Sequence, residues 1–472
     1  MKIKTRFAPS PTGYLHIGGL RTALYNYLFA KKNDGIFLLR VEDTDRERYV
    51  EGAVEAMMEI LKRMNLEYQE GPYLQSERLD IYKKYADKLV ESGYAYRCFC
   101  SKERLEELRK QQEAMKLHTK YDRTCLKLSK EEVETRLKNG ESSVIRLRIP
   151  EGETTFEDAI RGKITIPNSE IDDQVLIKSD GFPTYHLAVV VDDHLMKITH
   201  IIRGEEWISS VPKHVILYKA LGFEMPVFAH LPHVLNKDRT KLSKRQGDVA
   251  VEDFLGKGYL PEALNNYVAL LGFNPTGDRD IYTIEELIHA FDLAKINKSG
   301  AIFDITKLNW MNAHYIRSID SAKLVDLVKP FLSQRDHDHE LLKRAIEVEK
   351  TRATTLADFE SLVNSYFEMP DFNPDILVWK KSDKNDAIKQ LEGLGELIRN
   401  ADTKIFKNLE LIETEIKEYI EKENLQTGNV LWPLRVALSG STQSASPFEI
   451  MWVLGKEEAI KRIEIAIKIL NK

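Results

Sequence analysis

The chain has 472 residues, 43% of them hydrophobic and 30% charged; this is the composition of an ordinary globular protein, and the length points to about three domains rather than one core. With 69 basic against 74 acidic residues and a net charge of −5 it is no histone-like nucleic-acid binder, although a local basic surface for RNA stays open. No apolar run of about 18 residues is present to span a membrane. Three cysteines cannot build a disulfide framework. Residues 1–8 lack the apolar stretch of a signal peptide, so a cytoplasmic protein is expected.

Residues 2–8 alternate and predict a short strand, 9–18 a loop, and 19–32 a helix with Leu20, Leu24, Tyr27 and Leu28 on one face. The apolar run "GIFLLRVED" (35–43) ends in charge, as a buried parallel strand does, and completes a βαβ opening. Helices are expected over 52–66 and 76–93. Residues 96–182 change texture. A cysteine pair, a charged helix (102–115) and short alternating pieces, "SVIRLRIP" and "GKITIP", predict a mixed insertion. In "YHLAVVVDDHLMKITHIIRGEEW" (185–207) the texture of a buried strand returns, with residues 189–191 running into Asp192 and Asp193. Carboxylates at strand ends would put a site on the C-terminal edge of a parallel sheet. From about residue 309 a 3.6-residue period dominates, broken around Pro370 and Pro374.

Two motifs carry chemistry. In "RFAPSPTGYLHIGGLRTALYNYLFAKK" (6–32), His16, Gly18 and Gly19 stand at the mouth of a helix that follows a strand. Free backbone N–H groups and the helix dipole favour phosphate there, and glycines let a nucleotide approach the backbone. His16 can then donate to a phosphate oxygen and stabilise developing charge. A capping turn with an incidental histidine has the same pattern. Neither a P-loop nor a Gly-x-Gly-x-x-Gly fingerprint occurs. The second motif, "NKDRTKLSKRQGD" (236–248), sets Arg239, Lys241, Lys244 and Arg245 within seven positions. That suits a loop closing over a triphosphate, and equally a solvated basic loop. In "RDHDHE" (335–340), His337 and His339 are two apart and face different sides of a helix, so a solvated helix start is expected rather than a metal cluster.

Taken together, "HIGG" (16–19) and "KLSKR" (241–245) resemble the two signature motifs of class I aminoacyl-tRNA synthetases, usually written HIGH and KMSKS. The stretches "LLRVEDTDRER", "GFPTYHLAVVVDDHLMKITHIIRGEEW" and "KLSKRQGDVAVEDFLGKGYLPEALNNYVALLGF" narrow the resemblance to bacterial glutamyl-tRNA synthetases. It is dense to about residue 310 and thinner beyond, where "PLRVALSG" (433–440) also matches. The resemblance implies a multidomain chain. An α/β Rossmann-type catalytic core (1–80 and 185–240) would carry a mixed α+β insertion for the tRNA acceptor end (81–184). The KLSKR loop and a stem-contacting helical domain (241–320) and two all-α anticodon-binding units (321–372 and 373–472) would follow, in a monomer. It also implies activation of glutamate by ATP to glutamyl-adenylate, release of pyrophosphate chelated to Mg²⁺, and transfer to the terminal adenosine of tRNA(Glu). In that family tRNA must be bound before activation proceeds.

On this resemblance His16, Gly18, Lys241 and Lys244 are catalytic, and Gly19, Glu206, Trp207 and Ser243 join them around ATP. Arg6, Ala8, Ser10, Glu42, Tyr185 and Arg203 would hold glutamate. Arg6 and Arg203 suit its two carboxylates, because guanidinium geometry favours bidentate binding. Glu42 would accept the ammonium, and Arg46 and Arg435 would contact tRNA, Arg435 at the anticodon. No side-chain nucleophile is needed for a carboxylate attacking phosphorus; positioning and charge neutralisation suffice. Two departures stand out. Val189 occupies a position where the family often has an asparagine contacting the amino acid. Cys98, Cys100 and Cys125 match a zinc site of some members, but Lys127 stands where the fourth ligand lies, leaving only His118 or water. Structural zinc takes four protein ligands, so no metal is expected. The helical tail separates the chain from glutaminyl-tRNA synthetases, whose anticodon part is β-barrels, and from the tRNA-queuosine-modifying paralogue, which largely lacks it. A non-catalytic tRNA-binding paralogue is opposed by the intact His16, Lys241 and Lys244, and a small-molecule nucleotidylyltransferase has no use for the tail. Whether tRNA(Gln) is charged as well depends on anticodon-reading residues in that thinly matching tail.

Overall fold

The computed structural model describes residues 2–242, 250–275, 277–333 and 338–472. Its chain divides into two units, Met1–Leu255 with Pro261–Ile305, and Gly256–Leu260 with Thr306–Lys472.

The first unit opens as the apolar pattern dictates: β1 (Lys4–Phe7), α1 (Ile17–Lys32) and β2 (Ile36–Val41), the strands parallel with Arg6 opposite Leu38. Helix α1 starts before the predicted residue 19 because His16 caps it. Then come α2 (Ala53–Arg63), β3 (Glu70–Leu74), parallel to β2, and α3 (Leu79–Glu91). The mixed stretch follows with β4 (Ala95–Cys98), α4 (Lys102–Ala114), α5 (Lys130–Lys138), β5 (Val144–Leu147), β6 (Glu153–Asp158), β7 (Gly162–Pro167) and β8 (Val175–Ile177). Strands β4, β5 and β8 form an antiparallel sheet.

After α6 (Tyr185–Leu195), strand β9 (His200–Gly204), α7 (Val211–Leu221) and β10 (Val227–Leu231) return the chain to the parallel layer. The order there is β7-β6-β10-β9, with β6, β10 and β9 parallel. Thr199 donates its N–H to the Lys4 carbonyl at 2.9 Å, which docks the start of β9 beside β1 where the two sheets meet. The short parallel pair β11 (Val234–Leu235) and β12 (Ala301–Ile302) brackets α8 (Val251–Gly256), α9 (Pro261–Ala269) and α10 (Ile284–Ala290).

One expectation fails here. Residues 189–191 are not a strand; they lie inside α6, and Asp192 and Asp193 therefore do not end a strand. Helix α6 is packed on nearly every side, with Leu187 through Asp193 all buried, so its sequence shows a continuous apolar run and no period. Val189, Val190 and Val191 join Leu38, Leu217 and Phe228 in one apolar cluster, where each buried aliphatic side chain contributes about 1.5–3 kcal/mol.

The second unit is helical, as the 3.6-residue period predicts: α11 (Ile305–Ser318), α12 (Ser321–Val328), α13 (His339–Glu349), α14 (Asp358–Phe367), α15 (Lys384–Asn400), α16 (Leu409–Lys422), α17 (Thr427–Ser439) and α18 (Pro447–Leu470). Helix α18 breaks at Gly455, whose φ of 79° is left-handed. At its centre the fully buried Arg462 donates to the carbonyls of Ser365 and Leu438, both at 2.6 Å. His339 lies exposed at the start of α13, as the sequence predicts; His337 falls outside the described residues.

Candidate active site

A cavity of about 480 Å³ opens where β1, β2 and β9 end and α1 begins. It gathers His16, Gly18, Gly19, Glu206, Trp207 and Lys241 with Arg6, Ala8, Ser10, Glu42, Tyr185 and Arg203. Ser243 and Lys244 lie outside the described residues. Val189 packs into the core from α6 rather than lining this space.

The Gly19 N–H donates to His16 Nδ1 at 3.1 Å, so the histidine does cap the helix. The capping bond also fixes its tautomer. With Nδ1 accepting, the ring proton sits on Nε2, where it can be donated to an anion. A Cβ at position 18 would stand 3.1 Å from His16 Cε1 and Nδ1, which is why a glycine belongs there. The capping and phosphate-binding readings of this turn are therefore compatible.

On the opposite wall the charges are organised from beneath. Arg6 donates through Nε to Asp193 Oδ1 at 3.1 Å and through Nη2 to Oδ2 at 3.4 Å. Arg40 donates to the same Asp193 at 2.7 Å and to Glu42 Oε1 at 3.2 Å. Burial would raise the Asp193 carboxyl, but the two guanidiniums more than offset it and hold it below its ordinary range. For Glu42 burial wins over Arg40 and Arg6, and its carboxyl sits above the ordinary range. Asp192 accepts from Arg78 at 2.9 Å, Gln75 at 3.0 Å and Tyr82 at 2.7 Å. The two aspartates thus brace the site from α6 instead of forming its rim.

Arg203, in β9, is held differently. Its Nη1 donates to the Tyr185 hydroxyl at 2.6 Å and its Nε to His230 Nε2 at 3.1 Å. The Tyr185 ring lies against Trp207, centroids 4.2 Å apart, and this pair forms an aromatic wall. Glu206 folds back over Gly204, where a Cβ would come within 2.2 Å of its carboxylate. The arrangement can take a small amino acid through two guanidiniums and one carboxylate. Beside it a helix N-terminus, an imidazole N–H and Lys241 can receive phosphate.

Arg46 and Arg435 stand apart from this cavity. Arg46 is exposed, its guanidinium 5.5 Å from the Phe182 ring centroid. Arg435 is half-buried in α17, and its Nε has no hydrogen-bond partner among the described residues.

The sulfur atoms of Cys98, Cys100 and Cys125 lie within 4.8 Å of one another. Neither Lys127 nor the exposed His118 joins them. The sequence reading missed Tyr121, whose hydroxyl is 3.3 Å from Cys100 Sγ and accepts from the Cys125 N–H at 2.9 Å. Three thiols and a phenol therefore lie together; the thiols are ligands zinc takes, whereas burial and the thiol contacts push the Tyr121 hydroxyl up and keep it protonated. Burial and the neighbouring thiols push Cys100 up to about 11. Asp158, His214 and His230, behind Arg203, were also unmarked in the sequence, because nothing local ties them to it.

The catalytic-domain family described as class I tRNA synthetases (E and Q) matches residues 2–310, and an anticodon-binding domain matches 323–467. The chain is 47% identical to the glutamate–tRNA ligase of Finegoldia magna, with 99% of each chain covered. It is 47% identical to that of Clostridioides difficile, with 98% of each covered. Among solved structures, a glutamate–tRNA ligase from Elizabethkingia meningosepticum in complex with its amino acid superposes with a TM-score of 0.91 at 37% identity, covering 99% of both chains.

Proposed function

The chain belongs to the class I tRNA synthetases of the glutamate and glutamine kind, and from that membership and its own site we propose how it ligates glutamate to tRNA(Glu). The observation that carries the reading is the convergence of Arg6, Glu42 and Arg203 with His16 and Lys241 on one cavity. Glutamate enters with its carboxylates on the guanidiniums and its ammonium on Glu42. ATP lies across the mouth of α1, its phosphates facing His16 Nε2–H and the helix N-terminus, its base end toward Glu206 and Trp207. Lys241 neutralises the triphosphate from the other side, and Lys244 of the same motif adds a second cation.

The α-carboxylate oxygen attacks the α-phosphorus and the bond to the β-phosphate bridge breaks. Pyrophosphate departs, and a Mg²⁺ accompanying ATP would offset its charge. The terminal adenosine hydroxyl of tRNA then attacks the acyl carbon, and AMP leaves. Each step needs aligned reactants and fixed donors rather than a side-chain nucleophile. A zinc ion on Cys98, Cys100, Cys125 and Tyr121 would tie β4 to the turn at Thr124–Lys127 and take no part in either step. The enzyme works as a monomer in the cytoplasm, and no helix among the described residues is long and apolar enough to cross a membrane.

Pyrophosphate exchange in the presence of tRNA tests the reading, run with glutamate and with glutamine. Exchange with glutamate alone is expected, and exchange with glutamine alone would overturn it. Lys244→Ala should slow exchange by roughly 10²–10³-fold with tRNA affinity nearly intact. A near-normal rate in that variant would remove Lys244 from the mechanism. Charging of purified tRNA(Glu) and tRNA(Gln) in parallel decides how many tRNAs the enzyme serves.

A further inference from the structure

Arg6 and Arg203 face the same cavity but are held in opposite ways. Arg6 already has a carboxylate, Asp193. Arg203 has none among the described residues: its partners are a phenol and two imidazoles. These imidazoles form a buried chain. His230 Nε2 accepts from Arg203 Nε, and its Nδ1 is 2.6 Å from Asp158 Oδ2. Asp158 is anchored in turn, its Oδ1 accepting the N–H groups of Ile160 at 3.0 Å and Arg161 at 2.9 Å. On the other side Arg203 Nη2 is 3.4 Å from His214 Nδ1, and His214 Nε2 is 3.1 Å from His186 Nδ1. His214, His230 and Asp158 are almost wholly buried.

A guanidinium can only donate. That single fact sets every proton in the chain. His230 must present a bare Nε2, so its proton is on Nδ1 and is donated to Asp158. His214 must present a bare Nδ1, so its proton is on Nε2 and goes to His186, whose own proton is then on Nε2. A second proton on His214 or His230 would aim an N–H at the guanidinium. Burial opposes that: it keeps His214 and His230 below their ordinary range, and with Lys213 and Arg203 nearby it pushes His186 down to about 3. Three of the five Arg203 N–H bonds are thereby used on neutral acceptors. Two remain, one on each terminal nitrogen, the pair a carboxylate takes in bidentate fashion.

We propose that His230 and His214 are positioning residues for amino-acid binding: they fix Arg203 without neutralising it, so that its buried charge is completed only by a substrate carboxylate. An aspartate in their place would hold the guanidinium as firmly but offset part of the charge that draws the substrate. The proposal rests on the reading of the cavity as the glutamate site.

Two variants of the full chain separate the roles of His230. In His230→Asn the amide sits near the Nδ1 position, keeps a donor for Asp158 and deprives Arg203 of its acceptor. In His230→Gln the amide oxygen sits near Nε2 and restores that acceptor. With tRNA saturating, His230→Asn is expected to raise the KM for glutamate about tenfold or more with kcat within about threefold, and His230→Gln to recover most of the loss. Equal KM changes in the two, or an unchanged KM in His230→Asn, would overturn the proposal. Nitrogen NMR of the histidines in the wild-type protein gives a second reading that needs neither activity nor a folded variant. His230 protonated on Nδ1 and His214 on Nε2 are expected, and the opposite tautomer at either overturns it. A wild-type chain with these tautomers but no glutamate charging would instead sink the assignment of function and leave the relay standing.

Discussion

Gly18 carries two requirements that pull apart. It is the second residue of α1, where alanine would favour the helix by up to about 1 kcal/mol. Yet a Cβ there meets the His16 ring at 3.1 Å, and the ring must give by a few tenths of an ångström. Gly18→Ala is therefore expected to leave the thermal midpoint unchanged or slightly raised while pyrophosphate exchange slows by roughly 10–100-fold. Melting and exchange measured on one preparation check this, and an unimpaired rate would mean the ring position does not matter. The places of His16, Gly18, Glu42 and Lys241 at one cavity were legible because each belongs to a short stretch with its own pattern. What braces them was not. Asp193 reaches Arg6 across 187 positions and Asp158 reaches His230 across 72, separations that no local window spans.

At the scale of elements, periodicity succeeded where one face of an element meets water and failed where none does. Helix α2 and most of those of the second unit keep an exposed side, so their 3.6-residue rhythm shows. Helix α6 is enclosed and rich in β-branched residues, and its start at Thr184 carries no side-chain cap, so nothing in its sequence opposes a strand. The cysteine cluster shows a second limit. Its fourth donor was sought at a fixed offset from Cys125, on the C-terminal side, whereas Tyr121 lies one turn before it and reaches in from the other direction. Cys98 in β4, Cys100 in the loop after it, Cys125 in the turn at Thr124–Lys127 and Tyr121 just before that turn are expected to hold roughly one zinc per chain in protein purified without chelator. Cys100→Ser should lose the metal and Tyr121→Phe should lose it faster to chelator, with the KM for glutamate unchanged in both because no member of the cluster lines the cavity. Metal analysis returning none in the wild-type protein would mark the cluster as a plain thiol contact.

Over the whole molecule the chain spreads one reaction across two units, and the two can be taxed separately. The cavity proposed to take the amino acid and ATP belongs wholly to the first. The anticodon-binding match, residues 323–467, belongs wholly to the second. Arg435 is the tRNA candidate proposed there: it lies in α17, its Nε lacks a partner, and no ion pair among the described residues involves it. Arg435→Ala is expected to raise the KM for tRNA about tenfold, to flatten its dependence on salt, and to leave the melting midpoint in place. If activation by this chain requires bound tRNA, as the family resemblance implies, the same variant should appear defective in pyrophosphate exchange at low tRNA and normal at saturating tRNA. Gly18→Ala should be defective at both. In the double variant at saturating tRNA the free-energy losses should therefore reduce to that of Gly18→Ala, within about 0.5 kcal/mol. Exchange by Arg435→Ala that stays low however much tRNA is added would show that this arginine acts on the chemistry through the bound tRNA, and not only on its capture.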